Sequence, residues 1–437
     1  MAEVDRISFL PEDIKISILS RLQVKDAFRT SALARSWRHV YTLLPSLRLG
    51  RFLDRLGDTS EDFYSRPISP SWIRRVRHVV SCLQGPFLIF RLTLELDIVP
   101  SNLLQTLLDL LFQKGGVQKL HLWFYYSFHP HKKVIFRLPP FHSLMELRLN
   151  GCQLVLPHEF RGFHCLTTLS ISDVIISNHH LQLLLDTSKN LTTFLYYAQD
   201  LHLAPDLALN ISLPLLTYVQ FAINEMFDKI CLVSTPRLEQ ADIFVTNYSV
   251  SEKLARVTLG LLTGASMVSS LYLDSKVLEA WSLLTLPFSF SFPQLKCLKL
   301  FLNLDTMDKR TCDVFHWLLK SMPFLEELNI KLFSSFEQTK DVASLMGKLF
   351  VKPNGVPCLD QTLKSVTVGT YFLLNVMTGI TVVKFFLLNA KVLKLMKILY
   401  QDDELSIIEE LQKAEVASSD AKVVVFNINT KVTVNVK

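Results

Sequence analysis

Residues 291–330 read SFPQLKCLKLFLNLDTMDKRTCDVFHWLLKSMPFLEELNI, and the spacing within this stretch decides the fold. Leu295, Leu298 and Leu300 stand at i, i+3 and i+5, and the spacing returns at Leu325, Leu328 and Ile330. Side chains alternate between the two faces of a strand, so the i+3 and i+5 residues share one face and the residue between them points away. Between the two runs, Val314 to Leu319 (VFHWLL) predicts a helix that returns the chain to the start of the next strand. A strand, a return and a second strand about 30 residues on make a unit that buries its apolar face only by stacking on copies of itself.

The spacing extends well upstream. It is read at Ile89-Leu92-Leu94, Val117-Leu120-Leu122, Leu144-Leu147-Leu149, Leu166-Leu169-Ile171 and Leu191-Phe194-Tyr196. It continues at Leu216-Val219-Phe221, Leu238-Ala241-Ile243 and Val268-Leu271-Leu273. Steps of about 22 to 30 residues fall in or close to the leucine-rich-repeat range. The expected fold is an α/β solenoid of degenerate leucine-rich repeats whose strands line up as a curved parallel sheet. Its connections differ: Leu181 to Leu185 (LQLLL) predicts a second return helix, whereas HEFRGFHC and SLPLL predict irregular turns.

Outward strand positions are where a partner would be read. They are Lys119, His121, Arg148, Thr168, Ser170, Leu195, Asp242, Tyr272, Lys299 and Asn329. So mixed a set suits a protein target better than a small anionic ligand, and any single member can equally be a solvated side chain.

The N-terminal segment has a different pattern. In ISFLPEDIKISILSRLQVKDAFRTSALARSWRHVYTLL (7–44), Pro11 starts a helix, Glu12 and Asp13 suit its positive end, and Ile14, Ile18, Leu19 and Leu22 form one apolar face. Asp26 would cap a second helix with Ala27, Phe28 and Leu33 inward, followed by a turn or third helix around Ser36, Trp37 and Val40. A unit of about 40 residues covers little of its own apolar surface, so a partner is expected to cover the rest. Core and interface positions share this spacing, and periodicity does not separate them.

This segment resembles a plant F-box: Leu10-Pro11, Ile18-Leu19-Ser20, Lys25-Asp26-Ala27, Thr30-Ser31-Ala32-Leu33 and Trp37-Arg38 stand in register. Gln23 stands where the family usually has Pro, and Ala34 and Ser36 replace a commoner Ser and Arg. The resemblance implies docking on the Skp adaptor, and through it on a cullin, by Leu10, Pro11, Ile14, Ile18, Leu19, Leu22, Leu33 and Trp37. A second resemblance, to the plant FBD domain, begins near residue 292 with FPQLKCLKL and WLLKSMPFLEEL. It continues in LKSV (363–366) and FLLNAKVLKLMKI (386–398). Between these, TYFLLNVMTGITVV stands where the family usually has Gly and acidic residues. Phe385 to Leu388 with Val392, Leu393 and Met396 would form a helix covering the open end of the stack, and Lys422 to Ile428 (KVVVFNI) an edge strand.

The expected domains are therefore an F-box over 1–45, a helical connector over 46–86 anchored by Tyr64, Trp72 and Ile73, repeats over 87–335 and an FBD-type C-terminal region over 336–437. With 49% hydrophobic and 20% charged residues the chain is folded rather than disordered, and only 13 Gly disfavours glycine-rich nucleotide loops. The net charge of +6 is modest; residues 1–85 hold 14 Lys and Arg against 9 Asp and Glu. The densest basic cluster, Arg74, Arg75 and Arg77, reads as a solvated helix face, so nucleic acid is not an expected partner.

Seven Cys without a CxxC pair suit buried thiols in a reducing compartment. Glu3, Asp5 and Arg6 precede any apolar run, so no signal peptide is expected, and the Asn190, Asn210 and Asn247 glycosylation triplets read as chance matches. Val366 to Val383 has no charged residue over 18 positions, but its Thr, Asn and Gly content argues against a membrane span.

GxSxG, Walker and HExxH patterns are absent from the sequence. The pairs His129/His131, His179/His180 and Cys312/His316 lack completing partners, so neither a metal nor a cofactor is expected. The resemblances imply a non-catalytic substrate receptor of an SCF-type cullin ubiquitin ligase, in the cytoplasm and/or nucleus. The alternative is a leucine-rich-repeat scaffold whose F-box is not engaged in ubiquitination, and a weaker third reading is a protein anchored through Val366 to Val383.

Overall fold

The computed structural model describes residues 6–22, 24–50, 70–84, 88–95, 101–125, 133–197, 207–246, 249–333, 355–371, 376–400, 409–427, 429 and 433–435. The chain divides into two compact units, Met1–Pro205 with Ile211–Leu216, and Asp206–Asn210 with Thr217–Lys437.

The first unit opens with helix α1 (Glu12–Leu19), which follows Pro11 and carries Glu12 and Asp13 in its first turn. Helix α2 (Val24–Arg29) is short. Beyond it, Thr30 and Ser31 donate their hydroxyls to the carbonyls of Ala27 and Phe28, each at 2.7 Å. Three 3-10 turns follow, Thr30–Ala32, Arg35–Trp37 and Val40–Leu43. The expected second helix is thus broken. Asp26 lies within α2 rather than capping it, 3.5 Å from Arg29, and Leu33 falls on the broken segment, 74% exposed instead of inward. Leu19, Ala27, Trp37, Val40 and Leu44 form the small core.

The module is built into the repeats. Strand β1 (Ser46–Gly50) pairs in parallel with β2 (Ile89–Glu95), so the expected helical connector begins with a strand. Helix α3 (Pro70–Cys82) supplies its helical part, while Tyr64 and the side chains of Trp72 and Ile73 lie outside the described residues. The Gln84 N–H donates to Thr42 O at 2.7 Å and that of Leu88 to Pro45 O at 2.9 Å, tying the C-terminal end of the connector and the start of the repeats to the module.

After helix α4 (Ser101–Lys114) come β3 (Lys119–Tyr125), β4 (Val134–Arg137), β5 (Glu146–Asn150), β6 (Cys152–Val155), β7 (Thr168–Ser172), helix α5 (Asn178–Thr187) and β8 (Thr193–Tyr197). Strands β1, β2, β3, β5, β7 and β8 form one parallel sheet in that order, and β4 pairs with β6 in a small second one. Register partners Phe90, Leu120, Leu147, Leu169 and Phe194 form one buried row, and Leu92, Leu122, Leu149, Ile171 and Tyr196 the next. The first repeat is therefore Phe90-Leu92, not Leu92-Leu94. The expected triplet slipped by two residues, which preserves the face of a strand and so leaves its apolar pattern unchanged.

The second unit takes the first residues of β9 (Leu207–Ser212), then β10 (Tyr218–Ile223), β11 (Phe227–Ser234), β12 (Gln240–Val245), helix α6 (Glu252–Gly264), β13 (Ser270–Asp274), helix α7 (Ser275–Trp281), β14 (Cys297–Asn303), helix α8 (Lys309–Lys320) and β15 (Glu327–Phe333). The expected return helix at 314–319 is the centre of α8, capped by Asp308, whose carboxylate accepts from Thr311 N at 2.8 Å. Gly264 ends α6 against β11, where a Cβ would stand 2.8 Å from both Leu232 Cβ and Leu232 O.

The C-terminal region continues the same sheet with β16 (Ser365–Tyr371), β17 (Leu395–Tyr400) and β18 (Lys422–Asn427), all parallel, and closes with antiparallel β19 (Thr433–Asn435). The expected covering helix is present as Val376–Asn389, but it ends before Val392, and Met396 belongs to β17. The described residues of the apolar segment Val366 to Val383 divide between β16 and that helix. Among the described residues no helix is long and apolar enough to cross a membrane.

Candidate functional site

Helix α1 sets the first surface. Lys15 and Leu19 point inward, Lys15 donating from Nζ to Ser8 O at 2.8 Å and lying 5.7 Å above the Trp37 ring. Ile14, Ile18 and Leu22 therefore face solvent at 43%, 37% and 42% exposure, beside exposed Pro11 and half-buried Leu10. Of the eight expected docking residues, Leu19 and Trp37 lie in the module's own core and shape this surface from beneath. Ile7 and Phe9 are also exposed. The sequence reading left them out, although both are apolar residues just ahead of Pro11.

The outward face of the first sheet is the second surface. Two rows cross it: Lys119, Glu146, Thr168 and Thr193, and Arg48, Arg91, His121, Arg148, Ser170 and Leu195. Glu146, not singled out from the sequence, organises the expected Lys119, His121 and Arg148. Its carboxylate lies 3.0 Å from Lys119 Nζ, 3.0 Å from His121 Nε2 and 2.6 Å from Arg148 Nε.

Burial pushes the Glu146 carboxyl up, but hydrogen bonds from Lys119 and Arg148 and the charges of His121 and Arg148 outweigh it and hold the group down to about 2. Burial pulls His121 down to about 4; Glu146 opposes this, and Arg91 and Arg148 add to it. Near neutral pH this cluster thus combines a neutral imidazole, a carboxylate and surrounding cations.

In the second unit the expected Asp242, Tyr272, Lys299 and Asn329 are register partners in one row across β12 to β15. Asp242 is held by the Tyr218 hydroxyl at 2.7 Å and by Gln240 Nε2 at 3.1 Å, and Asn329 donates to Glu327 Oε1 at 2.9 Å. Burial and Asp242 both push the Tyr218 hydroxyl upward, so it stays a donor. Tyr272 stacks at a tilt on Phe244, with ring centroids 4.8 Å apart. These side chains make a polar, largely self-bonded surface without a nucleophile and base in contact.

His179 and His180 sit on α5, Cys312 is buried on α8, and His129 and His131 lie outside the described residues. Among the described residues no three His, Cys, Asp or Glu side chains come together as metal ligands would.

Residues 7–40 match the F-box domain model, and residues 104–330 match the family described as "FBD-associated F-box protein At5g56370, LRR repeats". The chain belongs to the FBD-associated F-box proteins with leucine-rich repeats. Among the curated members of this family, Arabidopsis thaliana F-box/FBD/LRR-repeat protein At1g13570 is 29% identical over 238 residues, 54% of this chain. The match spans about half of that relative's length, 52%. F-box/FBD/LRR-repeat protein At5g53840 of the same plant is 25% identical over 415 residues, 90% of this chain and 87% of its own. F-box/FBD/LRR-repeat protein At1g51370, also from Arabidopsis thaliana, is 38% identical over 78 residues, 17% of this chain and 18% of its own. A solved chain of a TLR13–ssRNA13 complex aligns with 80% of this chain and 60% of its own at 12% identity and a TM-score of 0.27, too remote to bear on the fold.

Proposed function

We propose that this protein is the substrate-receptor subunit of an SCF-type cullin ubiquitin ligase, acting in the cytoplasm and/or nucleus. The F-box module docks on the Skp adaptor, and the outward faces of the repeats hold a target protein. The observation that carries the reading is the α1 face of Ile14 and Ile18 with Leu22 just beyond it, large apolar side chains left exposed beside a core that does not include them. Exposed apolar clusters of this kind mark protein interfaces. The chain supplies no catalytic group on this reading. It raises the effective concentration of the target near the charged ubiquitin carrier, which makes transfer quasi-intramolecular.

The test is co-expression of the full chain with a Skp adaptor, followed by size exclusion. A stoichiometric complex that is lost in Leu10→Ala/Pro11→Ala, with the repeats still folded by circular dichroism, is the expected result. A folded chain that elutes alone would favour the scaffold alternative.

A further inference from the structure

Arg48 and Arg91 are register partners on adjacent parallel strands of the first sheet, and both lie on its outward face. Arg48 is exposed and Arg91 half-buried, with the Arg91 Nε buried and without a hydrogen-bond partner. Neither guanidinium makes an ion pair or a hydrogen bond with any described residue. Two like charges side by side across a sheet repel each other. That strain shows in Arg91, whose guanidinium is pulled down by burial first and by Arg48 next.

The nearby carboxylate relieves it only in part, Glu146 opposing the pull on Arg91 while Arg148 adds to it. Glu146 is already engaged by Lys119, His121 and Arg148. The two rows therefore hold Arg48, Arg91, Lys119 and Arg148 against Glu146. Among the described side chains, this end of the face carries more positive than negative charge, and the Arg48 and Arg91 guanidinium groups are paired with no carboxylate.

We propose that Arg48 and Arg91 form an anion-binding site that takes the phosphate of a phosphorylated side chain in a bound target. The proposal rests on the target-binding reading of this face and names the chemistry it selects. Neighbouring strands lie about 4.8 Å apart, so two guanidinium groups from register partners can each fork onto oxygens of one tetrahedral group. A phosphate brings about −1.5 to −2 charges and three acceptor oxygens, which matches two guanidinium groups; a carboxylate, with one charge and two oxygens, matches one.

The experiment uses the full chain, immobilised, with a phosphoserine peptide library of random flanks and its unphosphorylated counterpart as probes. Preferential retention of the phosphorylated library, released by excess inorganic phosphate, is the expected result. Arg48→Gln, at an exposed position, should lower that preference about tenfold without changing thermal unfolding. Arg91→Lys keeps the charge and fills the half-buried position but cannot fork, and should lower it as well. Equal retention of the two libraries, an unchanged preference in R48Q, or retention of random single-stranded RNA in place of the phosphopeptides would overturn the proposal. Adaptor co-elution in the same preparations separates the two readings: R48Q leaves it intact, so lost phosphopeptide preference with an intact complex concerns this site alone.

Discussion

The Trp281 indole N–H donates to the Thr258 hydroxyl at 2.9 Å, linking α7 to α6 where both side chains are fully buried. The Thr258 hydroxyl in turn donates to Leu254 O at 2.9 Å and Ala255 O at 3.0 Å, so the chain of donors ends on helix carbonyls. Thr258→Val removes the acceptor and leaves a buried N–H unpaired, which costs about 1–3 kcal/mol. The expected outcome is a lower urea midpoint for the second unit. Adding Trp281→Phe to the valine variant removes the orphaned donor too, so the double variant should fall short of the sum of the singles.

Gly264 packs α6 tightly on β11, and the atoms a side chain would meet include a backbone oxygen, which cannot rotate away. Gly264→Ala is expected to destabilise by about 1–3 kcal/mol through overpacking, despite the better helix propensity of Ala. A melting temperature equal to or above that of the wild type would show that the helix end can move.

The repeats were legible because one residue spacing encodes strand, face and stacking together. The slip at β2 passed unnoticed since a two-residue shift keeps Leu92 on the buried face. The C-terminal strands carry the same signal, in Leu363-Val366-Val368 and Leu393-Met396-Ile398, all buried. It was obscured because the apolar-rich stretch from Phe385 to Ile398, interrupted by Asn389, Lys391, Lys394 and Lys397, fits helix and strand alike. Cys152, Asn224 and Asn303 occupy the repeat's Asn/Cys position three residues after the i+5 residue; Asn224 accepts from Met226 N at 3.1 Å and Asn303 from Asp305 N at 3.1 Å. Glu146 was missed for a geometric reason. Each strand presents two outward positions, i+2 and i+4, and on β5 only Arg148, at i+4, was singled out. Lys15 facing inward was not legible, since its burial depends on the Ser8 carbonyl and the Trp37 ring meeting it there.

The Glu146 cluster makes the first unit acid-sensitive. His121 titrates at about 4 in the folded chain against 6.5 ordinarily, so its contribution is full above pH 6.5 and is lost as pH falls towards 4. Glu146 titrates at about 2 against 4.5, so its contribution is full above 4.5 and is lost as pH falls towards 2. Both run the same way. Stability of the first unit is expected to fall by on the order of 1–3 kcal/mol between pH 7 and pH 4, measured as urea midpoints. His121→Gln should flatten the part above pH 4; a wild-type midpoint that rises on acidification would contradict the assignment.

Ile18 and Leu19 are neighbours in sequence with opposite fates, one 37% exposed and one 1%. If the exposed side of α1 is the docking surface, the two positions must fail differently. Ile18→Asp places a charge on that surface without disturbing the core, so thermal unfolding should be unchanged within about 0.5 kcal/mol, while the adaptor complex is lost by size exclusion because the carboxylate would be buried without a partner. Leu19→Ala opens a cavity beside Ala27, Trp37 and Val40 and should cost about 2–5 kcal/mol. Its binding loss should then track unfolding and recover on cooling or when the adaptor is in excess, since the adaptor binds only the folded module. Loss of the complex in both variants with matched loss of helical signal would mean that Ile18 belongs to the core. An intact complex in Ile18→Asp would move the docking surface to Ile7, Phe9 and Leu33.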